Sequence, residues 1–166
     1  LSKLPVPVYS AFIKEKFALA GKTIDDDSIG FIIEWTKDNT YYTQRLCNEV
    51  FSLSGEAIGR KDIVTAIQTI LDSERDRFQE IRRLVTRSQW KMLAAIAMED
   101  SVSQITSAAF LSKYKISSGP TALRNIKALI DKELVLATTT ENGTGYSVYN
   151  VFLSRFLANN IQHFRP

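Results

Sequence analysis

The sequence predicts a mainly α-helical chain in two parts: a helical bundle, then a helix-turn-helix unit closed by a small β-hairpin. Three observations carry this reading. Apolar residues recur at helical spacing through the first half. That stripe stops at Asp72-Ser73-Glu74-Arg75-Asp76-Arg77, polar on every side, and resumes at Phe78, Ile81, Leu84 and Val85. Beyond it, short helical segments separated by Ser/Gly turns lead to two strand-like segments around Glu141-Asn142-Gly143, a hairpin signal.

The 166 residues suit one domain or two small ones. Hydrophobic residues make up 45% and charged residues 23%, which excludes a disordered, collagenous or rod-like chain. No run approaches the ~18 apolar residues of a membrane helix. One His, His163, and one Cys, Cys47, exclude an internal disulfide, a zinc site of Cys and His alone, and any nucleophile–His pair lacking His163. No G-x-x-x-x-G-K-[ST] phosphate loop occurs, and no signal segment follows Leu1, so the expectation is a cytoplasmic protein, processed or cut from a longer chain. Charge is uneven. Residues 1–86 carry 12 Lys and Arg against 13 Asp and Glu, whereas residues 87–166 carry 9 against 5. Any affinity for polyanions therefore belongs to the second half.

In the first half, Leu4-Pro5-Val6-Pro7 reads as extended, because each Pro bars the α region to its predecessor. A helix fits Tyr9 to Ala20, with Phe12, Ile13, Phe17 and Leu19 apolar and Gly21 as its stop. Asp25 suits the N-cap of a second helix that runs to about Lys37, with Asp26 and Asp27 at the positive end of its dipole. Capping accounts for the triple Asp better than a cation site, since adjacent carboxylates on a helix start diverge. Ile29, Ile32, Ile33 and Trp35 form that helix's stripe. A third helix fits Thr40 to Leu53 on Tyr42, Leu46, Val50 and Leu53, with Cys47 beside them as a buried, inert thiol. After a turn at Gly55–Gly59, a fourth starts near Arg60 and buries Ile63, Ala66, Ile67, Ile70 and Leu71.

In the second half, Thr86 and Gln89 form a capping box ahead of Trp90, Leu93, Ala94, Ile96 and Ala97. Trp90 is expected to anchor the small core, where replacement by Ala would cost ~3–5 kcal/mol. Val102 to Ile105 reads as a short strand, and Ala108 to Tyr114 as a short helix with Phe110 and Leu111 inward. Ser117-Ser118-Gly119-Pro120 turns into a helix reaching Lys132 that buries Leu123, Ile126, Leu129 and Ile130. Strands at Leu134–Thr138 and Tyr146–Tyr149 and a last helix with Phe152, Phe156 and Leu157 complete the order, which is that of a winged helix-turn-helix.

On the 118–132 helix this pattern leaves Thr121, Arg124, Asn125, Ala128 and Asp131 outward, with Lys127 at the edge. Arg and Asn are the residue types that read guanine and adenine edges bidentately, and Lys115 precedes the helix where a phosphate would lie. Lys115, Thr121, Arg124, Asn125 and Lys127 are thus the candidate nucleic-acid residues. Asp131 and Glu133 oppose them, and the wing loop, Thr138 to Gly145, has no Lys or Arg and carries Glu141. Docking of a protein is the competing use of this module.

Asn39-Thr40-Tyr41-Tyr42-Thr43-Gln44-Arg45-Leu46-Cys47-Asn48-Glu49-Val50 resembles the lid of prokaryotic STAND-type AAA+ ATPases, the archaeal-type ATPase domain family. There the third lid helix opens with a Gly/His-Pro-like step and a Tyr-Tyr-x-Gln-x-x-Cys run; Thr40 stands where many relatives have Pro. The helix from Arg60 is similar to the family's next lid helix. Phe78, Leu84, Thr86, Gln89, Trp90, Leu93 and Ile96 resemble the entry to its C-terminal winged helix, and Leu123–Leu136 and Gly145–Leu157 its end.

The resemblance implies a helical lid-like domain at 4–72, a connecting helix at 73–86 and a winged helix-turn-helix domain at 87–160. It implies the C-terminal part of a longer ATPase, whose upstream P-loop domain is the first partner and holds ATP and Mg. No cofactor, catalytic residue or metal ligand is then expected in this chain, and no membrane partner. On the lid side, Asn39, Thr40, Tyr41 and Arg45 would face nucleotide, Arg45 as a sensor that pairs bidentately with phosphate. The plainer reading of Arg45 is a surface ion pair with Glu49 at i+4. Nucleotide state would then be coupled to binding of DNA or a protein by the winged helix. The alternative is a winged-helix nucleic-acid-binding regulator or initiator-like module.

Overall fold

The structure, a computed structural model, describes residues 5–140 and 143–160. It divides into two compact units, Leu1–Arg75 and Asp76–Pro166. The first holds helices α1 (Val6–Leu19), α2 (Asp26–Trp35), α3 (Thr40–Leu53) and α4 (Arg60–Ser73), with two-residue strands β1 (Thr23–Ile24) and β2 (Ala57–Ile58). The second holds α5 (Arg75–Leu84), α6 (Arg87–Glu99), α7 (Ala108–Lys113), α8 (Gly119–Asp131), β3 (Val135–Thr140), β4 (Gly143–Val148) and α9 (Val151–Asn160). The fold is a helical bundle followed by a winged helix with a two-stranded wing.

In the first unit α3 packs on α4, and α1 and α2 pack on one another. Their shared core is the aliphatic stripe read from the sequence: Ile29, Ile32, Leu46, Val50, Ile63 and Ile70 are all at most 1% exposed. Each such side chain contributes about 1.5–3 kcal/mol by leaving water. Helix α1 differs from expectation. It starts at Val6 rather than Tyr9, with Pro5 as N-cap and Pro7 in the first turn, where a missing N–H costs nothing. Leu4 lies outside the described residues. Tyr9, Ile13 and Phe17 are buried, while Phe12 and Leu19 are 47% and 73% exposed, because the i, i+4, i+8 row faces α2 and α3. Gly21 takes φ +74, and Lys22 N–H returns to the Phe17 carbonyl at 3.0 Å. The Lys22 ammonium then donates to the Phe51 carbonyl at 2.6 Å, a cation at the negative end of α3.

The strands β1 and β2 escape sequence reading. They pair in parallel, Thr23 with Ala57 and Ile24 with Ile58, and bury both isoleucines. Two residues are too few to show a period. Asp25 caps α2, its carboxylate accepting from Ser28 N–H at 2.6 Å, which holds its pKa down. That helix ends at Trp35, two residues short of the expected Lys37. Leu53, at the end of α3, is 49% exposed rather than core.

In the second unit α6 is the central helix, packed against α8, α9 and β4. Met92, Leu93 and Ile96 are fully buried along it. The capping box forms as read, with Thr86 N–H to Gln89 Oε1 at 3.0 Å and Gln89 N–H to Thr86 Oγ1 at 3.2 Å. Helix α5 belongs with this unit: Phe78 is 1% exposed, and its ring lies 4.9 Å from that of Phe156. Trp90 is only half-buried, with the Arg82 guanidinium 5.4 Å from its ring, so Phe78 rather than Trp90 anchors this end of the core. The expected strand at Val102–Ile105 shrinks to one antiparallel bridge between Val102 and Tyr146. Ile105 instead plugs the core at 3% exposure from a turn. The hairpin is longer than expected, in register from Val135–Val148 to Thr140–Gly143. Glu141 and Asn142 of its turn signal, and His163, lie outside the described residues.

Candidate functional site

The lid-side residues sit at the α2–α3 junction. Lys37 and Asp38 both take left-handed backbone, φ 56 and 53, which non-glycine residues adopt only when their surroundings enforce it. The enforcement is visible. Thr36 and Thr43, both fully buried, hold their hydroxyls 2.7 Å apart. Thr36 Oγ1 also donates to the Ile32 carbonyl at 2.8 Å, and Thr43 Oγ1 to the Asn39 carbonyl at 2.9 Å. This polar knot fixes how α3 leaves α2.

Asn39 is the α3 N-cap, its Oδ1 accepting from Tyr42 N–H at 3.5 Å. The Thr40 carbonyl accepts from the Tyr9 hydroxyl at 3.5 Å, and burial raises the Tyr9 pKa. Tyr41 is 67% exposed, its ring edge-on to Tyr42 at 5.1 Å between centroids. Arg45, one turn on, is exposed and forms no ion pair with Glu49. Tyr41 and Arg45 thus share the open face of α3, while Asn39 and Thr40 are engaged in holding its first turn. Behind them a groove of about 130 Å³ between α1 and α3 is lined by Phe12, Ile13 and Phe17 against Gln44, Cys47 and Asn48. Burial pushes the Cys47 thiol up to about 12, as an inert thiol requires.

In the winged helix, the α8 register departs from the sequence reading. Ala122, Asn125, Ile126 and Leu129 face inward, while Leu123 is 52% exposed. Asn125, expected outward as a reader of adenine, is 7% exposed. Its Nδ2 donates to Ser88 Oγ at 2.7 Å and reaches the Ser88 carbonyl at 3.5 Å, so the amide ties α8 to the start of α6. The sequence shows an Asn on a helix; it does not show that Ser88 waits opposite to satisfy it. Thr121 is also occupied: its hydroxyl lies 3.0 Å from Ser118 Oγ and 3.2 Å from Ser117 Oγ in the α8 cap. Arg124 is exposed, as read, as are Lys127, read at the edge, and Asp131, and Lys115 is exposed in left-handed backbone, φ 49, just before the cap.

Two neighbours of this face were not singled out from the sequence. Arg87 and Lys91 are exposed one turn apart on α6, and the Lys91 ammonium donates to the Lys115 carbonyl at 2.7 Å. The signal that could have found them is the lack of any Asp or Glu from 81 to 98 and again from 101 to 130. Lys113 stands apart from this group. It pairs with Glu99 at 2.6 Å, which raises the lysine pKa and, with a hydrogen bond from Tyr114, lowers that of the carboxyl. The described wing strands carry no charged residue.

Among the described residues no cluster of His, Cys, Asp and Glu could hold a metal ion, and no helix is long and apolar enough to cross a membrane. No curated protein matches the sequence. In fold the chain is similar to a Walker-type ATPase of Pyrococcus abyssi, with a TM-score of 0.62 over 89% of this chain at 14% identity. It spans 40% of that protein's length. The profile of one family matches residues 76–159, half of the chain, from the start of α5 through the wing and into α9. By that match, and by the helix order and hairpin described above, the chain belongs to the family described as "Probable winged helix domain".

Proposed function

We propose that this chain is the lid and winged-helix part of a P-loop ATPase of the AAA+/STAND type, which couples nucleotide state to the binding of DNA or a protein partner. The observation that carries the reading is that the likeness to a Walker-type ATPase continues well beyond the winged helix. Tyr41 and Arg45 are suited to the lid role, one offering an aromatic face to a base and the other a guanidinium to a phosphate. Asn39 and Thr40 serve it indirectly, by holding the turn that presents them. ATP and Mg belong to an upstream P-loop domain, which is the lid's partner in this reading. Binding and neutralising a triphosphate takes a phosphate loop and metal-holding carboxylates; the sequence has no G-x-x-x-x-G-K-[ST] loop, and no metal-holding cluster occurs among the described residues.

A second reading, a winged-helix nucleic-acid-binding module without switching, is favoured by the cations gathered around the start of α8.

The test is to measure ATP hydrolysis and nucleotide affinity on this chain and on the full product of its natural gene. The chain alone is expected to do neither, the full product to do both, and tryptic cleavage at Arg75–Arg77 in the full product to change with nucleotide. Turnover by the chain alone, or a full product indifferent to nucleotide, overturns the proposal.

A further inference from the structure

We propose that the wing is a pairing surface for a second copy of this chain: β3 of one copy joins β3 of the other, antiparallel, so that two hairpins become one continuous sheet. The inference goes beyond the function proposed above and needs neither nucleotide nor DNA.

The argument starts from the backbone. The hairpin has two outer edges. That of β4 is closed at Tyr146, which exchanges both of its backbone bonds with Val102, at 2.8 and 3.0 Å. Tyr146 is also the residue opposite Ala137. In an antiparallel ladder the N–H and C=O of one residue point to the same side, and the side alternates along the strand. The backbone groups of Tyr146 point away from β3, so Tyr146 and Ala137 are opposite without bonding to each other. The N–H and C=O of Ala137 therefore point to the outer edge of β3, as do those of Thr139 two residues on. Among the described residues no backbone group bonds to them there.

Nothing guards this edge. Val135–Thr140 holds no Pro and no charged residue, and its pairing with β4 runs without a bulge. Those are the devices by which natural sheets keep their edges apart. Leu136, Ala137, Thr138 and Thr139 are all exposed, and they alternate between the two faces, so no other element covers this stretch. Bare N–H and C=O groups at strand spacing fit another extended strand.

The strand fits itself. With a two-fold axis at Thr138, Ala137 of each copy lies opposite Thr139 of the other, and these residues, whose groups point outward, exchange both bonds. Thr138 meets its own counterpart as the closely spaced pair between them, and Thr–Thr pairs across strands are favourable. No like charges face one another. A second copy also brings a strand already held extended by its own β4, whereas a free peptide must first lose its backbone freedom. So short a strip buries less than the ~800 Å² per partner of a standard stable interface, which makes the dimer weak and concentration-dependent. Association stops at two, because the pairing uses up the open edge of each hairpin.

The test is sedimentation velocity of the whole chain between about 10 µM and about 1 mM. The wild type is expected to shift from monomer toward dimer over that range, and Thr138→Val to do the same. Thr138→Lys and Thr138→Glu each put like charges opposite one another and are expected to stay monomeric at the top concentration. An equimolar mixture of these two variants is expected to associate again, because Lys then faces Glu. Circular dichroism confirms that the variants are folded; the position is exposed. A wild type that is monomeric throughout, Thr138→Lys associating like the wild type, a mixture of folded variants that stays monomeric, or growth beyond a dimer overturns the proposal. Loss of self-association would leave nucleotide hydrolysis by the full gene product untouched, so the two proposals fail separately.

Discussion

Replacing Asn125 by Ala separates a structural tie from a base-reading contact. The Asn125 side chain is 7% exposed and donates to Ser88 at 2.7 Å, within a helix packed on α6. Losing that hydrogen bond costs about 1 kcal/mol, and the unfilled space left by the amide adds about 1 kcal/mol more. Alanine recovers about 0.5 kcal/mol through its better helix propensity. The net cost is therefore about 1.5 kcal/mol, or a fall of about 6–12 °C in Tm for a domain of this size. Trp90 lies in the same unit, so in a Trp35→Phe background its fluorescence follows this unit's melting alone. An unchanged Tm combined with altered duplex binding would show that Asn125 points outward, and the α8 register described above would be wrong.

Phe78→Ala is expected to cost about 3–5 kcal/mol in urea melts, well above Trp90→Ala, because Phe78 is 1% exposed and Trp90 half-buried; equal costs would refute this ordering. Thr43→Val removes the side-chain partner of the buried Thr36 hydroxyl, which keeps its bond to the Ile32 carbonyl, and is expected to cost about 0.5–1.5 kcal/mol, read as a lower melting temperature of the first unit by Trp35 fluorescence. Cys47, with its pKa pushed up to about 12, is expected to react with a disulfide reagent at pH 8 orders of magnitude more slowly in the folded chain than in urea. Glu99 has its pKa lowered by Lys113 and Tyr114, so its contribution to stability is present above its ordinary value of 4.5 and is lost as pH falls through the depressed value. Tm measured from pH 6 to about 3 should therefore drop more steeply for the wild type than for Glu99→Gln.

The stripes on α2, α3 and α4, the Asp25 cap, the Thr86–Gln89 box and the hairpin were all legible because each is a local matter. Period, cap and turn chemistry are properties of a few consecutive residues, and tertiary packing here agrees with them. The candidate site was legible only in part. Arg124, Lys127, Lys115, Tyr41 and Arg45 are exposed as read, because a cation or a Tyr on the polar side of a helix has little reason to turn inward. Asn125, Leu123 and Trp90 went the other way. Their burial depends on what lies opposite, and Ser88, which decides the first of them, is far away in sequence.

The amino-acid order alone determined a helical first part, a break in the seventies, the helix and hairpin order of a winged helix, and the location of the excess positive charge. Only the tertiary structure decided which turn of α8 faces out, that α5 packs with the second unit, that β1 and β2 exist, and that Lys91 stands beside Lys115. The reason is one of range. Helical periodicity is set over a few residues, whereas the partner of a buried amide or the neighbour of an exposed lysine is supplied by a segment that only folding brings near.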